Sequence, residues 1–464
     1  MGDMLDSIDT IVLVMMENRS FDHMLGHLTI DHPELDVNGL RTADMASYSN
    51  DHNGDLFPSY EIKNDTDLET DLPHEEKFVQ EQLKYQPVND KFTMHGFVDA
   101  YVSAGGGTPN VQCIPMGYFG SAKIPVTEFF AKNFCVCDNW FAPIPTSTQP
   151  NRTMAFCGYT PIYQTKTQLI ELKEGKNIFA WMDKHQVRWR VYHDGFPFFS
   201  LYPTLWPYVL GEQFSRFELM YSDRLHEADA TAPQVIIVEP CYQDAPHFGS
   251  KHPNDNHPPL AIGWGEDFLR RVYQAVSANP DRWERTLMIV YYDEHGGFFD
   301  HVAPPGISCS TTGKPSFPFK SLGVRIPAVV VSPFVTPGSC SHALMDHTSV
   351  LQLLAEKFDS KKIYSPDVEK RRRDGIRSVS EVLENIKPFA PPNAPSVALD
   401  VKTALGESIA VAPDSPMRQS FEEAGRQMLE QKPAEVRKKF PELFQWKDAA
   451  DKARGHKIRK WTRR

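Results

Sequence analysis

Two short apolar runs, far apart in the chain, each end in acidic residues, and they limit the possible folds more than any other feature. Ile11–Met16 leads into Glu17-Asn18-Arg19-Ser20-Phe21-Asp22-His23, and Thr286–Tyr292 leads into Asp293-Glu294-His295-Gly296-Gly297. Each run has the length and unbroken apolar character of a strand buried on both faces. In open α/β sheets, ligands bind beyond the carboxyl ends of the strands. Two strands that deliver oxygen donors to one edge can hold a hard divalent cation. Adjacent carboxylates at a strand end repel unless positive charge lies between them. Glu17, Asn18, Asp293 and Glu294 are therefore candidate metal ligands. Oxygen donors favour Ca²⁺, Mg²⁺ or Mn²⁺, with zinc not excluded. For Glu17-Asn18 alone, a helix cap beside a surface acid is an equally good account. Gly296 and Gly297 would let a ligand come close to the backbone.

Further strands are expected at Phe134–Cys137, Arg188–Tyr192, Val235–Val238 and Ala328–Val331, with helices at Ile178–His185, Gly265–Ala278 and Ser349–Lys357. This alternation predicts an α/β fold with a mostly parallel central sheet and helices on both faces. Glu17, His193, Glu239 and Asp293 fall at strand ends, as a functional carboxyl edge requires. Residues 31–75 are polar and turn-rich and read as a surface excursion. Gly105-Gly106-Gly107 lacks the spacing of a nucleotide loop and reads as a turn. Four prolines between Pro388 and Pro395 suggest a linker. The expected organisation is a catalytic domain over 1–387, then a linker and helical C-terminal segment over 388–464, with helices at Met417–Leu429 and Ala434–Ala450.

A 464-residue chain with 41% hydrophobic and 23% charged residues suits a globular protein with a sizeable core. A net charge of −11 argues against nucleic-acid partners. No apolar stretch reaches the length of a membrane span. The N-terminus lacks the basic and small-residue signals of a secretory leader. That predicts a cytoplasmic protein if the chain is full length, or a secreted or periplasmic one if a leader has been removed. The seven cysteines form no obvious framework. Cys135 and Cys137 alternate and should face one way, but a zinc site would need a second cysteine pair nearby. Oligomeric state is not legible.

The third chemical segment is Thr146-Ser147-Thr148-Gln149-Pro150-Asn151-Arg152. A hydroxyl beside a metal can lose its proton and become a nucleophile. Arg152 could grip two phosphate oxygens and Asn151 could donate to a third. Taken alone, the segment is better read as a capped turn. Histidines form the fourth group: His257 in Asn256-His257-Pro258-Pro259, His193 after a strand, and His74 in Leu72-Pro73-His74-Glu75. A phosphoryl-transfer site needs a proton donor for the leaving oxygen. His247 and His252 have less context, and His301 and His347 suit supporting positions. Phe196–Leu210 holds three Phe, two Tyr, one Trp and three Pro. It would serve as a choline-type aromatic cage or a bilayer contact, although core packing is the simpler account. The last thirteen residues, Lys452–Arg464, carry seven basic residues and no acid. They are expected either to touch an anionic lipid surface, with Trp461 at the interface, or to pair with the acidic body.

The ENRSFDH segment, the TQPNR segment, the HPP loop and the DEHGGFFDHV segment occur in an order that resembles the bacterial and plant phospholipase C / acid phosphatase phosphoesterase family. The likeness spans about residues 8 to 358. It implies an alkaline-phosphatase-like three-layer α/β sandwich and a site with a metal and a Ser or Thr nucleophile. By motif position, Glu17, Asn18, Asp293 and Glu294 resemble metal-site residues and Thr148 the nucleophile. His74, His193 and His257 are similar in placement to active-site histidines. His295 stands where asparagine is common in the phospholipases, a departure expected to tune its neighbours or the pH optimum.

The resulting expectation is a metal-dependent phosphoric ester hydrolase of the phospholipase C type, acting through a phosphothreonine on a phospholipid or small phosphate ester. Two alternatives stand beside it: an acid phosphatase on the same fold, and a non-catalytic phospholipid-binding protein. Turnover of a chromogenic ester separates enzyme from binder, and comparing monoesters with diesters separates phosphatase from phospholipase.

Overall fold

The computed structural model describes residues 3–63, 71–246, 251–307, 321–384, 386–399 and 415–448. His247 and the basic segment 452–464 lie outside the described residues. Eight strands form the central sheet: β1 (Thr10–Met16), β2 (Cys135–Cys137), β3 (Trp189–His193), β4 (Phe214–Arg216), β5 (Val235–Glu239), β6 (Thr286–Tyr292), β7 (Ala328–Val331) and β8 (Cys340–Ser341). Their order is β4-β3-β5-β1-β6-β7-β2-β8. All run parallel except β7, which is antiparallel to both β6 and β2. The expected α/β class and mostly parallel sheet are present. Every residue of β1 and β6 is buried, as strands covered on both faces must be.

The functional helices are α1 (Phe21–Leu25), α2 (Glu76–Leu83), α3 (Pro125–Asn133), α4 (Thr148–Cys157), α5 (Gly263–Val276), α6 (Thr348–Phe358) and α7 (Pro416–Gln431). They flank the sheet in sets, α3 packing on α5 and α4 on α6. In α5 the stripe Phe268, Leu269, Val272, Tyr273 and Val276 is buried, the spacing of an amphipathic helix on a sheet. The N-terminus of α3 is capped from another element: the Glu266 carboxylate accepts from the amides of Val126 (2.6 Å) and Thr127 (3.1 Å).

The structure departs from the sequence reading in three places. First, β4 and β8 were not foreseen, because strands of three and two residues carry no usable periodicity. Second, the helix expected over Ala434–Ala450 breaks after Lys439 and resumes at Glu442, because Pro441 has no amide to continue the ladder. Third, the 31–75 excursion is not wholly superficial. Val37, Leu40, Phe57, Ile62 and Leu72 are buried, and Asn38 donates its amide to Asp138 (2.7 Å) and accepts from Arg325 (2.8 Å). In Phe196–Leu210 the simpler account, core packing, holds: Phe196, Phe198, Phe199, Leu201, Tyr202, Leu205 and Trp206 are all core residues. Burial removes this segment as a bilayer contact.

Where it is described beyond Pro388, the chain packs against the body. Phe389 stacks on Phe134, and Pro392 accepts from the Tyr273 hydroxyl (2.7 Å). Helix α7 lays Phe421 against Tyr242 and Phe196. Among the described residues, no helix is long and apolar enough to cross a membrane.

Candidate active site

The pairing of β1 with β6 builds the centre. Met16 sits in register with Tyr292, so Glu17 and Asp293 leave the sheet side by side. The Asp293 amide donates to Met16 O (3.1 Å), and the Asn18 amide donates to Asp293 Oδ1 (3.0 Å). Asn18 turns the chain at φ 60°, a left-handed conformation that Asn tolerates better than most side chains. Gly296, at φ 61°, answers it: a Cβ there would lie 2.0 Å from Asn18 O. What approaches these glycines is the protein itself, since a Cβ on Gly297 would meet Leu72 Cβ at 2.6 Å and Pro73 O at 2.8 Å. The glycine pair thus locks together the two acidic loops and the segment carrying His74.

Glu17, Asn18, Asp293 and Glu294 are all buried and all gather here. Burial, together with Asp293, Asp255 and Asp244, pushes Glu17 well above the usual carboxylate range against the pull of Arg152. Burial and the neighbouring Glu294 raise Asp293 to about 6, again against Arg152. Burial acts to raise Glu294 too, but His74, His295 and the Gly296 amide hold it below its ordinary value. Glu294 Oε1 is buried with no hydrogen-bond donor, and Glu17 Oε1 has only the ion-pair approach of Arg152 Nη2 at 3.2 Å. Unsatisfied buried carboxylate oxygens are costly. By donor type, three carboxylates and one amide suit a hard cation, although the three carboxylates are not among the groups of described residues that already bring one ligand atom each within 4.8 Å.

Arg152 and Asn151 have different work from the phosphate grip expected of them. Arg152 is buried, with Nε donating to Asp293 (3.1 Å), Nη1 to the Tyr242 hydroxyl (2.9 Å) and Nη2 to Met16 O (3.2 Å). Nη2 also lies 3.2 Å from Glu17. The rings of Phe198 and Tyr242 cover it at 5.2 and 5.0 Å. The aromatic cage therefore exists, but the cation inside it is the protein's own. With its donors committed, Arg152 clamps the two carboxylate loops. Asn151 accepts from the Ile144 amide (3.1 Å) and donates to Thr146 O (2.7 Å), so its side chain ties down the turn before α4.

That turn singles out one hydroxyl of three. Thr146 Oγ1 donates to Tyr163 O (2.7 Å), and Ser147 Oγ to Glu75 (2.9 Å). Thr148, the first residue of α4, has its Oγ1 3.4 Å from Asn18 Oδ1 and faces a cavity of about 420 Å³. Pro150 costs the helix nothing, since first-turn amides have no partner inside the helix. A helix N-terminus also favours an anion.

His74 and His257 line the same cavity with Asp71, Glu75 and Asp244. Their rings are 6.1 Å apart. His74 donates Nδ1–H to Leu72 O (2.7 Å), and its Nε2 lies 3.4 Å from Asn18 Nδ2. Burial opposes its charge, but Glu294, Asp71 and Glu75 raise it to about 10. His257 donates Nδ1–H to Pro258 O (2.6 Å) and turns Nε2 toward Asp71 (4.0 Å). Against burial, Asp71, Asp244 and Asp255 raise its pKa as well. Asp71, His74 and His257 offer ligand atoms within 4.8 Å of one another. His295 points Nδ1 at Glu294 (3.2 Å) and Nε2 at Gln82 of α2 (2.8 Å), and so orients Glu294. His347 donates to Asp293 O (2.8 Å), while His301 pairs with Asp22 (2.7 Å), one layer out.

His193 is not brought to the cavity. It packs against Phe440 and Phe214, donates Nδ1–H to Gly195 O (2.7 Å), and burial drives its pKa down to about 3. Two strands separate it from β6, because β5 and β1 intervene. A neutral histidine in an aromatic pocket is a packing residue. We expect His193→Leu to keep turnover of a soluble ester within about twofold while lowering stability by about 1–3 kcal/mol, measured by thermal unfolding.

The sequence reading missed Asp71, Glu75, Asp244, Tyr242 and the Ser415–Met417 entry to α7. Ser415 donates to Asp244 (2.8 Å) and Met417 accepts from Gln149 (3.6 Å). Asp71 and Glu75 flank the Pro73-His74 pair, and this adjacency was a usable signal. The residues around 415 offered none.

The profile of the phosphoesterase family matches residues 8–361. Non-specific phospholipase C3 of Arabidopsis thaliana is 28% identical over 383 residues, covering 78% of this chain and 71% of its own length. A non-hemolytic phospholipase C of Burkholderia pseudomallei (strain K96243) is 26% identical over 79% of this chain, which spans 57% of that longer protein. A solved alkaline phosphatase superfamily protein from Vibrio parahaemolyticus superposes with a TM-score of 0.32 at 12% identity, over 54% of this chain and 65% of that one, too slight to add to the sheet topology. With the profile matched along most of its length and the motifs gathered at one sheet edge, this chain belongs to the phosphoesterase family, hydrolases of phosphoric ester bonds.

Proposed function

We propose that the protein is a metal-dependent phospholipase C acting through a phosphothreonine at Thr148. The observation that carries this reading is the Thr148 hydroxyl, held only by a long 3.4 Å hydrogen bond to Asn18, at a helix N-terminus that faces a cavity beside buried carboxylates. Glu17, Asn18, Asp293 and Glu294 would hold the cation. When bound, it lowers the pKa of the Thr148 hydroxyl and neutralises charge growing on the phosphoryl oxygens. Thr148 attacks phosphorus in line, and the bond from phosphorus to the departing alcohol breaks. The α4 N-terminus and the cationic His74 hold the phosphoryl group. His257 Nε2 protonates the leaving alkoxide, then takes a proton from water as that water displaces Thr148. Arg152 and Asn151 position the carboxylates and the nucleophile turn. The named relatives favour a phospholipid diester as substrate, with the lipid alcohol as leaving group, over the phosphatase alternative.

The test is a panel of phosphodiesters and phosphomonoesters, assayed with metal-depleted protein restored by one ion at a time. Oxygen ligands predict recovery with Ca²⁺, Mg²⁺ or Mn²⁺ ahead of zinc, and diesters ahead of monoesters. Glu17→Ala and Asp293→Ala should each lose both bound metal and turnover. Full metal content and normal rates in both variants would refute the site.

A further inference from the structure

The opposite edge of the sheet holds a second, unrelated constellation. Thr10 and Thr286 are the first residues of β1 and β6, whose far ends carry Glu17 and Asp293. A seven-residue strand puts roughly 20 Å between the two edges. A cavity of about 210 Å³ at this edge is lined by Arg188, Arg224, Arg282 and Arg285, with Asp9 and Asp229. Four guanidiniums against two carboxylates leave an excess of two positive charges.

The acids do not serve the arginines equally. Arg285 pairs with Asp9 and Asp229, and Arg282 Nη2 with Asp229 (3.2 Å). Arg224 is 1% exposed, and among the described residues no carboxylate hydrogen-bonds to it. Its Nη1 and Nη2 donate only to the hydroxyls of Thr10 (3.4 Å) and Thr286 (3.0 Å). Arg224 Nε and Arg282 Nη1 are buried donors with no acceptor. Burial, with Arg282 alongside, lowers the Arg224 pKa to about 10. Glu227 and Asp229 act on Arg224 without a hydrogen bond to it; a buried cation so weakly compensated is expensive, and guanidinium forks match tetrahedral oxyanions.

We propose that this cavity is a binding site for a phosphate-type dianion, held between Arg224 and Arg282 with Arg188 at the mouth. The excess of two charges matches the anion, and the volume admits a phosphate bearing a small substituent. The ligand is either free phosphate or the phosphate end of a phosphorylated small molecule. The proposal is independent of the chemistry at the catalytic edge.

Thermal unfolding of the full chain tests it. At saturating inorganic phosphate, the wild type should gain about 2–4 °C over sodium chloride of equal ionic strength. Arg224→Leu should lose most of that gain. Arg188→Ala, an exposed position with little risk to folding, should require several-fold more phosphate for the same gain. Both variants should retain wild-type turnover of a soluble ester. Phosphate bound at the catalytic edge persists in the variants, so the difference from wild type reports this cavity alone. Methylphosphonate, which is not hydrolysed, distinguishes the sources: if it binds more tightly than phosphate the ligand is a phosphomonoester, and if less tightly, free phosphate. An equal gain in wild type and both variants, or an equal gain from chloride, overturns the proposal.

Discussion

Thr148→Ala is expected to abolish turnover, by a factor on the order of 10⁴ or more, while the protein stays folded. The side chain is buried at the start of α4, and its nearest polar partner, Asn18 Oδ1, is at the long end of the hydrogen-bond range at 3.4 Å. Its removal should therefore cost at most about 1 kcal/mol of stability. Thr146 and Ser147 cannot substitute, because their hydroxyls are held by Tyr163 and Glu75. The readouts are hydrolysis of a soluble diester, thermal unfolding, and mass spectrometry of acid-quenched wild type for phosphate on Thr148. A variant that turned over at near the wild-type rate would exclude Thr148 as nucleophile.

Arg152→Met should be the most destabilising single change at the site. It deletes the cation shared by Glu17 (3.2 Å) and Asp293 (3.1 Å) in a dry environment, and leaves two buried carboxylates uncompensated. Losing one partner of a buried ion pair costs about 3–5 kcal/mol, which should appear as a large fall in Tm. A divalent cation binding the same carboxylates should recover part of that loss, because binding to the folded state stabilises it by mass action. If Arg152 gripped substrate instead, the variant would unfold like wild type and fail only in KM. The two outcomes separate a positioning residue from a binding one.

Sequence patterning found the long elements because their period or composition is self-sufficient. The run from Ile11 to Met16 can hardly be anything but a covered strand, and it is one, extended by Thr10. The amphipathic stripe near Phe268 likewise marked α5. The three residues of β4 and the two of β8 are strands only because a neighbouring strand supplies their hydrogen bonds. The site residues divide in the same way. Glu17 and Asp293 were legible as acids at strand ends. Whether a polar side chain beside them faces substrate or protein depends on which donors its neighbours have already taken. Arg152 and Asn151 fit a phosphate grip by residue type, yet the structure commits both to the protein. His193 ends a strand as expected, but β5 and β1 stand between β3 and β6.

By itself, then, the chain's order of residues determined the α/β class, the strands that end in acids, and the chemical kinds of group available at their ends, because these depend on local pattern and residue type. Tertiary structure alone decided that Met16 would lie beside Tyr292, that Thr148 would be the most weakly held hydroxyl of three, that an arginine would clamp the carboxylates, and that four arginines from 188 to 285 would meet at the opposite edge. The reason is physical. Strand order and burial bring together groups more than a hundred residues apart, and the low-polarity interior they create sets which charges are paired, which are shifted, and which are left in need of a ligand.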